Sequence, residues 1–306
     1  MLRLAESLGD NLVLQRAPHA AVVWGFGTPG ERVSTHFQGE IFESAVIGAD
    51  GVWRQSLPPT PASTTPTHLF FRATGSLSNA TLSNVLFGDV LLCAGQSNMQ
   101  HGLRFPTPGF AGARAEMIAA SAASSRDIRL FTAGAVVPPC VGQWAAADSS
   151  SVCTTPQLEL STTAPQVGDK RCDGSLAMSW RKANVGASCR QPWSVASAAA
   201  LSRFSALCWL TARRIRDKRA RAAPADVHVP LGLVSSSWTA TPISAWQPYE
   251  SMRECNPHAR QGGVLYNTMI APLTVCVFWV SKPSPAGSSA SAPCFSLLCF
   301  AIAASN

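Results

Sequence analysis

Residues 86–100 read Leu86-Phe87-Gly88-Asp89-Val90-Leu91-Leu92-Cys93-Ala94-Gly95-Gln96-Ser97-Asn98-Met99-Gln100 and carry the strongest signal for the fold of this chain. Within it, residues 90–93 form a continuous apolar run, which is typical of a strand buried on both faces of a parallel sheet. Gly95 then allows the backbone to turn sharply, and Ser97 follows where a strand would give way to a helix. The stretch therefore predicts an α/β fold organised around a strand, a tight turn and a helix.

The position of Ser97 is one that a nucleophilic serine requires. At the carboxyl edge of a sheet its hydroxyl projects from a rigid element, and its own backbone N–H can face the substrate oxygen. The alternative interpretation is a plain polar turn, because glycine, serine and asparagine all favour turns. These residues alone leave both interpretations open.

The same stretch resembles the nucleophile block of the sialate O-acetylesterases, a family of the SGNH (GDSL-like) hydrolase superfamily. That block reads close to Leu-Phe-Gly-Asp-Val-Trp-Leu-Cys-Ser-Gly-Gln-Ser-Asn-Met, and Leu91 stands here at its tryptophan. The resemblance implies an SGNH-like (flavodoxin-like) parallel sheet with helices. It also implies that Ser97 is the catalytic nucleophile, that its N–H helps to hold the oxyanion, and that Gln96 or Asn98 supports the turn.

A second block, residues 230–246, is similar to the family pattern Pro-Ile-Gly-Leu-Ile-x-Ser-Ser-Trp-Gly-Gly-Thr-Pro-Ile-Glu-Ala-Trp. The resemblance implies a buried strand at residues 231–234 that ends at the active-site edge, with Trp238 and Thr239 in the wall of the substrate site. In the superfamily a glycine of this block donates its N–H to the oxyanion. Thr239-Ala240 replaces the glycine pair here, and a side chain resists the close approach and positive φ that glycine allows. We therefore expect this donor to be weakened.

Residues 1–84 predict a small β-sandwich domain at the N-terminus. Short runs of strand formers, such as residues 21–24 and 33–37, alternate with glycine, proline and aspartate. The region also resembles the N-terminal β domain of the family, through Asn11-Leu12-Val13-Leu14-Gln15 and Val23-Trp24-Gly25-Phe26-Gly27-Thr28-Pro29-Gly30. We interpret its aromatic side chains as core rather than as a sugar site.

Residues 85–273 predict a partial esterase domain of α/β type. A helix at residues 111–125 followed by a strand at 127–131 argues for a parallel sheet with crossover helices. Residues 136–191 lack periodicity and read as a loop-like insertion. Residues 198–221 are the clearest helix. Its expected apolar face comprises Leu201, Phe204, Cys208, Thr211 and Ile215.

The resemblance stops after Leu273, and residues 274–306 read as an unrelated or disordered tail. We therefore expect the C-terminal part of the α/β domain to be missing, as in a truncated chain. Serine catalysis needs a base and a carboxylate that orients it, and the family takes both from an Asp-x-x-His pair. No such pair occurs in this sequence. None of the histidines stands out as a replacement: His19, His36, His68, His101, His228 and His258.

The resemblance implies a serine esterase that removes O-acetyl groups from sialic acids or related sugars through an acetyl-serine intermediate. Because the Asp-x-x-His pair is lacking, we expect the activity of this chain to be weak or absent. The alternative is a non-catalytic carbohydrate-binding protein that uses Trp238 or Trp246 as a stacking platform.

The composition of the chain bears on three other properties: cofactor binding, nucleic-acid binding and membrane insertion. The 306 residues are 46% hydrophobic, enough for a sizeable core, and the ten cysteines form no Cys-x-x-Cys pattern, so we expect no metal or other cofactor. Much of the net charge of +7 lies in residues 213–221, which we interpret as a solvated helix end rather than a nucleic-acid site. We expect no membrane span, and residues 1–7 lack the apolar core of a signal peptide. Compartment, disulfide pairing and oligomeric state stay open.

Overall fold

The computed structural model describes residues 2–44, 46–75, 78–103, 111–133, 189–202, 204–222, 229–238, 243–247, 266–270 and 273. In these ranges the chain has a mixed α/β fold, as the nucleophile stretch predicts. Its strands are β1 (Arg3–Leu4), β2 (Val13–Gln15), β3 (Val22–Phe26), β4 (Val33–Phe37), β5 (Glu40–Glu43), β6 (Val52–Ser56), β7 (Ser63–Ala73), β8 (Asn79–Gly95), β9 (Ile128–Ala133), β10 (Cys189–Val195) and β11 (Leu231–Ser237). Its α-helices are α1 (Ser97–Gln100), α2 (Ala113–Ser121), α3 (Ala198–Leu201) and α4 (Ala206–Ala222). Short turns of other helix types lie at Ala123–Ser125, Ile243–Trp246 and Tyr266–Ile270.

The two halves of strand β8 pair with different neighbours, the first with an antiparallel strand and the second with a parallel strand. Its first half, residues 79–87, pairs antiparallel with β7, and β2 joins it in parallel at residues 86–88. Its second half, residues 89–95, pairs in parallel with β11. The strand therefore continues without interruption past residue 84, the predicted domain boundary.

The two halves of β8 meet at Gly88, where the backbone passes very close to the start of β11. A Cβ atom at Gly88 would lie 2.7 Å from the carbonyl carbon of Pro230 and 2.8 Å from its Cβ. The next residue, Asp89, donates its N–H to the Pro230 carbonyl at 2.9 Å. Glycine is needed here for close approach of two backbones.

The parallel part of the sheet has the order β9-β11-β8. The predicted strand after α2 is present as β9, but β11 separates it from β8. All seven residues of β11 are buried, and a strand covered on both faces belongs in the middle of a sheet. Strand β10 then adds antiparallel to β9 at the edge.

Different elements cover the two faces of the parallel strands. Leu91 and Cys93 of β8 contribute to a cluster with the helices, which includes Phe204 and Trp209. Residues 90 and 94 point to the opposite face, into a second cluster shared with the N-terminal strands. The alternation of β8 side chains therefore joins the helices and the N-terminal β structure to one strand.

The N-terminal strands form a small three-stranded sheet, β1-β3-β6, beside β4, β5 and β7 of the larger sheet. Trp53 of the small sheet contacts Phe71 of β7, with ring centroids 5.6 Å apart. Trp24, Trp53, Phe37 and Phe71 are all buried. The interpretation of these aromatic side chains as core is confirmed.

The predicted helix at residues 198–221 is wrong in one respect, because it is two helices. The break lies between α3 and α4, where Ser205 Oγ accepts the N–H of Cys208 at 3.2 Å and so caps the start of α4. Within α4, Thr211 of the predicted apolar face is exposed, whereas Trp209 and Ala212 are buried with Cys208.

Strand β10 begins at Cys189, so the last residues of the predicted loop-like insertion are strand. The rest of that insertion, residues 136–188, and the predicted tail, residues 274–306, lie outside the described residues. None of the helices in the described part of the chain has the length and apolar character needed to cross a membrane.

Candidate active site

The ends of β8 and β11 bring the two sequence blocks to one edge of the sheet. Gly95 is the last residue of β8 and is in register with Ser237, the last residue of β11. The N–H of Trp238 then donates to the Gly95 carbonyl at 3.1 Å. The parallel pairing therefore places Ser97, at the start of α1, near the carboxyl end of β11.

Ser97 is half-buried between two exposed neighbours, Gln96 and Asn98. Its Oγ donates to Gln96 Oε1 at 2.7 Å, and its backbone N–H donates to the same oxygen at 3.1 Å. One amide oxygen thus holds both groups that an attack on an ester would use. In this conformation Gln96 occupies the N–H that was expected to face the substrate, and the support of the turn by Gln96 or Asn98 stays a prediction.

Helix α1 is held in place through Met99. A Cβ atom at Gly95 would lie 3.0 Å from Met99 Cβ, so the glycine makes room for the helix. On the other side, Ser205 Oγ donates to Met99 Sδ at 3.3 Å. The chain after α1 is also attached to α4, because Ala206 N–H donates to the His101 carbonyl at 2.8 Å.

A disulfide joins Cys93 of β8 to Cys208 of α4, with their Cα atoms 5.8 Å apart. The sequence leaves every disulfide pairing open, so this one could not be predicted. Both cysteines stand on predicted apolar faces, of a strand and of a helix, which was the available signal. Local pattern does not show that these two faces meet.

The basic end of α4 is only partly a solvated helix end. Arg219 Nη2 contacts Asp89 Oδ2 at 2.6 Å, and Arg16 Nε binds the other oxygen of this buried carboxylate at 2.8 Å. Arg213 pairs with Glu116 at 3.6 Å. These arginines attach α4 to the rest of the fold, so they are not available as a free basic patch. The interpretation as a solvated end holds for Arg214, Lys218 and Arg221, which are exposed.

The remaining candidate residues differ in burial, and some of them lie outside the described residues. Trp238 is half-buried at the sheet edge, whereas Trp246 is 3% exposed, so Trp246 as a sugar-stacking platform is wrong. Thr239 lies outside the described residues, as do two of the histidines, His228 and His258.

The positions of the described histidines do not single out one of them as a general base for Ser97. His19, His36 and His68 are exposed in the N-terminal region. His101 closes α1, where its N–H donates to the Ser97 carbonyl at 3.0 Å. In the described ranges, no group of three or more His, Cys, Asp or Glu side chains could hold a metal ion.

The chain is similar to a human and a rat protein that are both named sialate O-acetylesterase. Human sialate O-acetylesterase is 27% identical over 295 residues, which is 92% of this chain and 46% of the human protein. The rat sialate O-acetylesterase is 30% identical over 271 residues, 86% of this chain and 41% of the rat protein. The chain therefore spans less than half the length of these relatives. No family model matches the sequence.

A solved structure has a similar fold. The crystal structure of a carbohydrate acetylesterase from Xanthomonas citri superposes with a TM-score of 0.59 at 24% identity, over 91% of this chain and 49% of that one. Over most of its length, this chain is a homologue of the sialate O-acetylesterases.

Proposed function

We propose that this chain carries the nucleophile part of a serine carboxylic-ester hydrolase that removes O-acetyl groups from sialic acids or related sugars. The observation that carries the proposal is the placement of Ser97 at the carboxyl end of β8, in register with the end of β11. The names of the homologues support the substrate class.

In the proposed reaction, Ser97 Oγ attacks the acetyl carbonyl while a base takes its proton. The sugar alcohol then leaves, and water attacks the acetyl-serine to release acetate. Gln96 Oε1 must first give up the Ser97 N–H, which can then donate to the oxyanion. The side chain of Gln96 is exposed and therefore has room to rotate. Trp238 and Thr239 are proposed for the wall of the substrate site.

The proposed architecture is an SGNH-like (flavodoxin-like) domain at residues 85–273, preceded by a β-sandwich domain at residues 1–84 and followed by an unrelated tail at 274–306. The three parallel strands β8, β11 and β9 support the first part. The small sheet β1-β3-β6 packed on β7 supports the second.

We propose further that turnover by this chain is weak, because its sequence has no Asp-x-x-His pair to supply the base. The test is acetate release from an O-acetylated sialoside by the chain and by Ser97→Ala. The matched control is Ser56→Ala, an exposed serine in β6. We expect slow release that Ser97→Ala abolishes and Ser56→Ala leaves unchanged.

Release that persists in Ser97→Ala would contradict the nucleophile assignment. Fast release abolished by that change would instead contradict the weak-activity part, since it would mean that another group serves as the base. Binding of the sialoside without any acetate release would favour the alternative, a non-catalytic carbohydrate-binding protein in which Trp238 contacts the sugar.

A further inference from the structure

We propose that the start of α4 is a clamp on the nucleophile turn, and that the Cys93–Cys208 disulfide makes this clamp sensitive to reduction. We define the clamp as Ser205, Ala206 and Cys208 with their contacts to residues 93–102. The expected effect on catalysis rests on the proposed function. The existence of the clamp rests only on the contacts.

The clamp holds the chain on both sides of Ser97. Before the serine, Cys93 is bonded covalently to Cys208. After it, Gly102 forms an antiparallel bridge with Ser205, and the His101 carbonyl accepts the Ala206 N–H at 2.8 Å. The segment that carries the nucleophile is therefore tied at both ends to a single turn of helix.

The middle of the segment is held by the same turn. Ser205 Oγ donates to Met99 Sδ at 3.3 Å and accepts the Cys208 N–H at 3.2 Å. Met99 in turn packs against Gly95, the last residue of β8. Ser205 and Cys208 are thus positioning residues, because each acts on Ser97 through other groups.

Reduction by a dithiol would release one side of the clamp. A thiolate of the dithiol attacks one sulfur of the disulfide, and the S–S bond breaks to give a mixed disulfide. The second thiol of the reductant then displaces the protein sulfur. The reductant leaves as a cyclic disulfide, and the protein keeps two thiols. Cys93 is half-buried, whereas Cys208 is 1% exposed, so we expect the thiolate to attack at Cys93.

Loss of the disulfide should affect the chemical step more than substrate binding. Small displacements of a catalytic group can lower turnover about a hundredfold, because the reaction needs a narrow attack geometry. The clamp residues support Ser97 from the helix side of β8, and Trp238 lies in the segment after β11. We therefore expect kcat to fall about tenfold to a hundredfold with little change in KM.

The experiment compares the oxidised chain, the dithiothreitol-reduced chain and the double variant C93S/C208S. Acetate release gives kcat and KM, and hydrogen exchange gives the protection of the amides of Met99, Gln100 and His101. We expect lower kcat and faster exchange at these amides in both the reduced chain and the double variant. Dithiothreitol should change nothing further in the double variant, which controls for the other cysteines. Ser205→Ala, which keeps the disulfide, should show a smaller loss of kcat.

Equal kcat and equal exchange in the oxidised and reduced chains would overturn the proposal. A fall in kcat matched by a rise in KM would also overturn it, because it would indicate general loosening of the site. If the oxidised chain shows no Ser97-dependent release, the proposed function fails, and the exchange of the three amides alone decides whether the clamp exists.

Discussion

Glu6 is a single residue whose burial opposes its charge. It follows β1, and burial raises the pKa of its carboxyl above the ordinary value of a glutamate, although the neighbouring Arg3 acts in the opposite direction. Its Oε2 atom is buried and has no hydrogen-bond partner among the described residues. The native state thus binds the Glu6 proton more tightly than the unfolded state does, and ionisation of Glu6 costs stability.

We expect Glu6→Gln to stabilise the protein at pH 7. The cost of ionisation is absent at low pH and appears as the pH rises from the unfolded pKa through the raised folded value. The stabilising effect should therefore disappear below about pH 4. Urea denaturation at pH 7 and pH 3.5 measures the difference, with exposed Glu40→Gln on β5 as the control. A gain that is equal at the two pH values would refute this explanation.

At the scale of elements, the pairing of β8 with β11 depends on Gly88. Because a Cβ at this position would overlap the Pro230 backbone, the two strands would have to separate. We expect Gly88→Ala to lower the free energy of unfolding by about 3 kcal/mol. The control is Gly9→Ala, since a Cβ there would lie 3.9 Å from Trp193, an ordinary contact. Chemical denaturation of both variants tests this, and equal stabilities would show that β11 can move without cost.

The elements around Ser97 could be predicted because their signals are local. The apolar run of residues 90–93, the turn at Gly95 and the serine after it all lie within a few residues. The break before α4 could not be predicted in the same way, because alanine and leucine favour helix through residue 201 and the break depends on the cap at Ser205.

The contacts of the site with distant parts of the chain also escape local analysis. Cys93 and Cys208 are 115 residues apart, and their pairing depends on which face of the sheet α4 covers. The contact of Gln96 with Ser97 is local, but it depends on a side-chain rotamer that sequence pattern does not specify. The position of Ser97 after the strand could therefore be predicted from the sequence, whereas the contacts of its side chain and the disulfide behind it could not.

At the scale of the whole molecule, Asp89 connects three regions. Its buried carboxylate lies between Arg16, in the N-terminal region, and Arg219, near the end of α4. Removal of one partner from a buried ion pair leaves the other charges without compensation. The arginine side chains are 36% and 40% exposed, so water compensates for part of this loss.

We expect Asp89→Asn to lower the free energy of unfolding by about 3 kcal/mol, at the lower end for buried ion pairs. Arg219→Gln should cost about 1 kcal/mol or less, because that side chain is better solvated. Urea denaturation followed by tryptophan fluorescence measures both. The expectation fails if the two variants lose equal stability.

The shared strand β8 also has a consequence for the order in which the chain is synthesised. Its first half can pair with β7, which precedes it directly, as soon as both have left the ribosome. Its second half must wait for β11, which starts 136 residues after Gly95 (231 − 95). At ordinary bacterial or eukaryotic rates of elongation this delay is on the order of 10 to 30 s. During that time residues 89–95 lack the strand that pairs with them, and such an unpaired apolar edge is the kind of surface that chaperones bind.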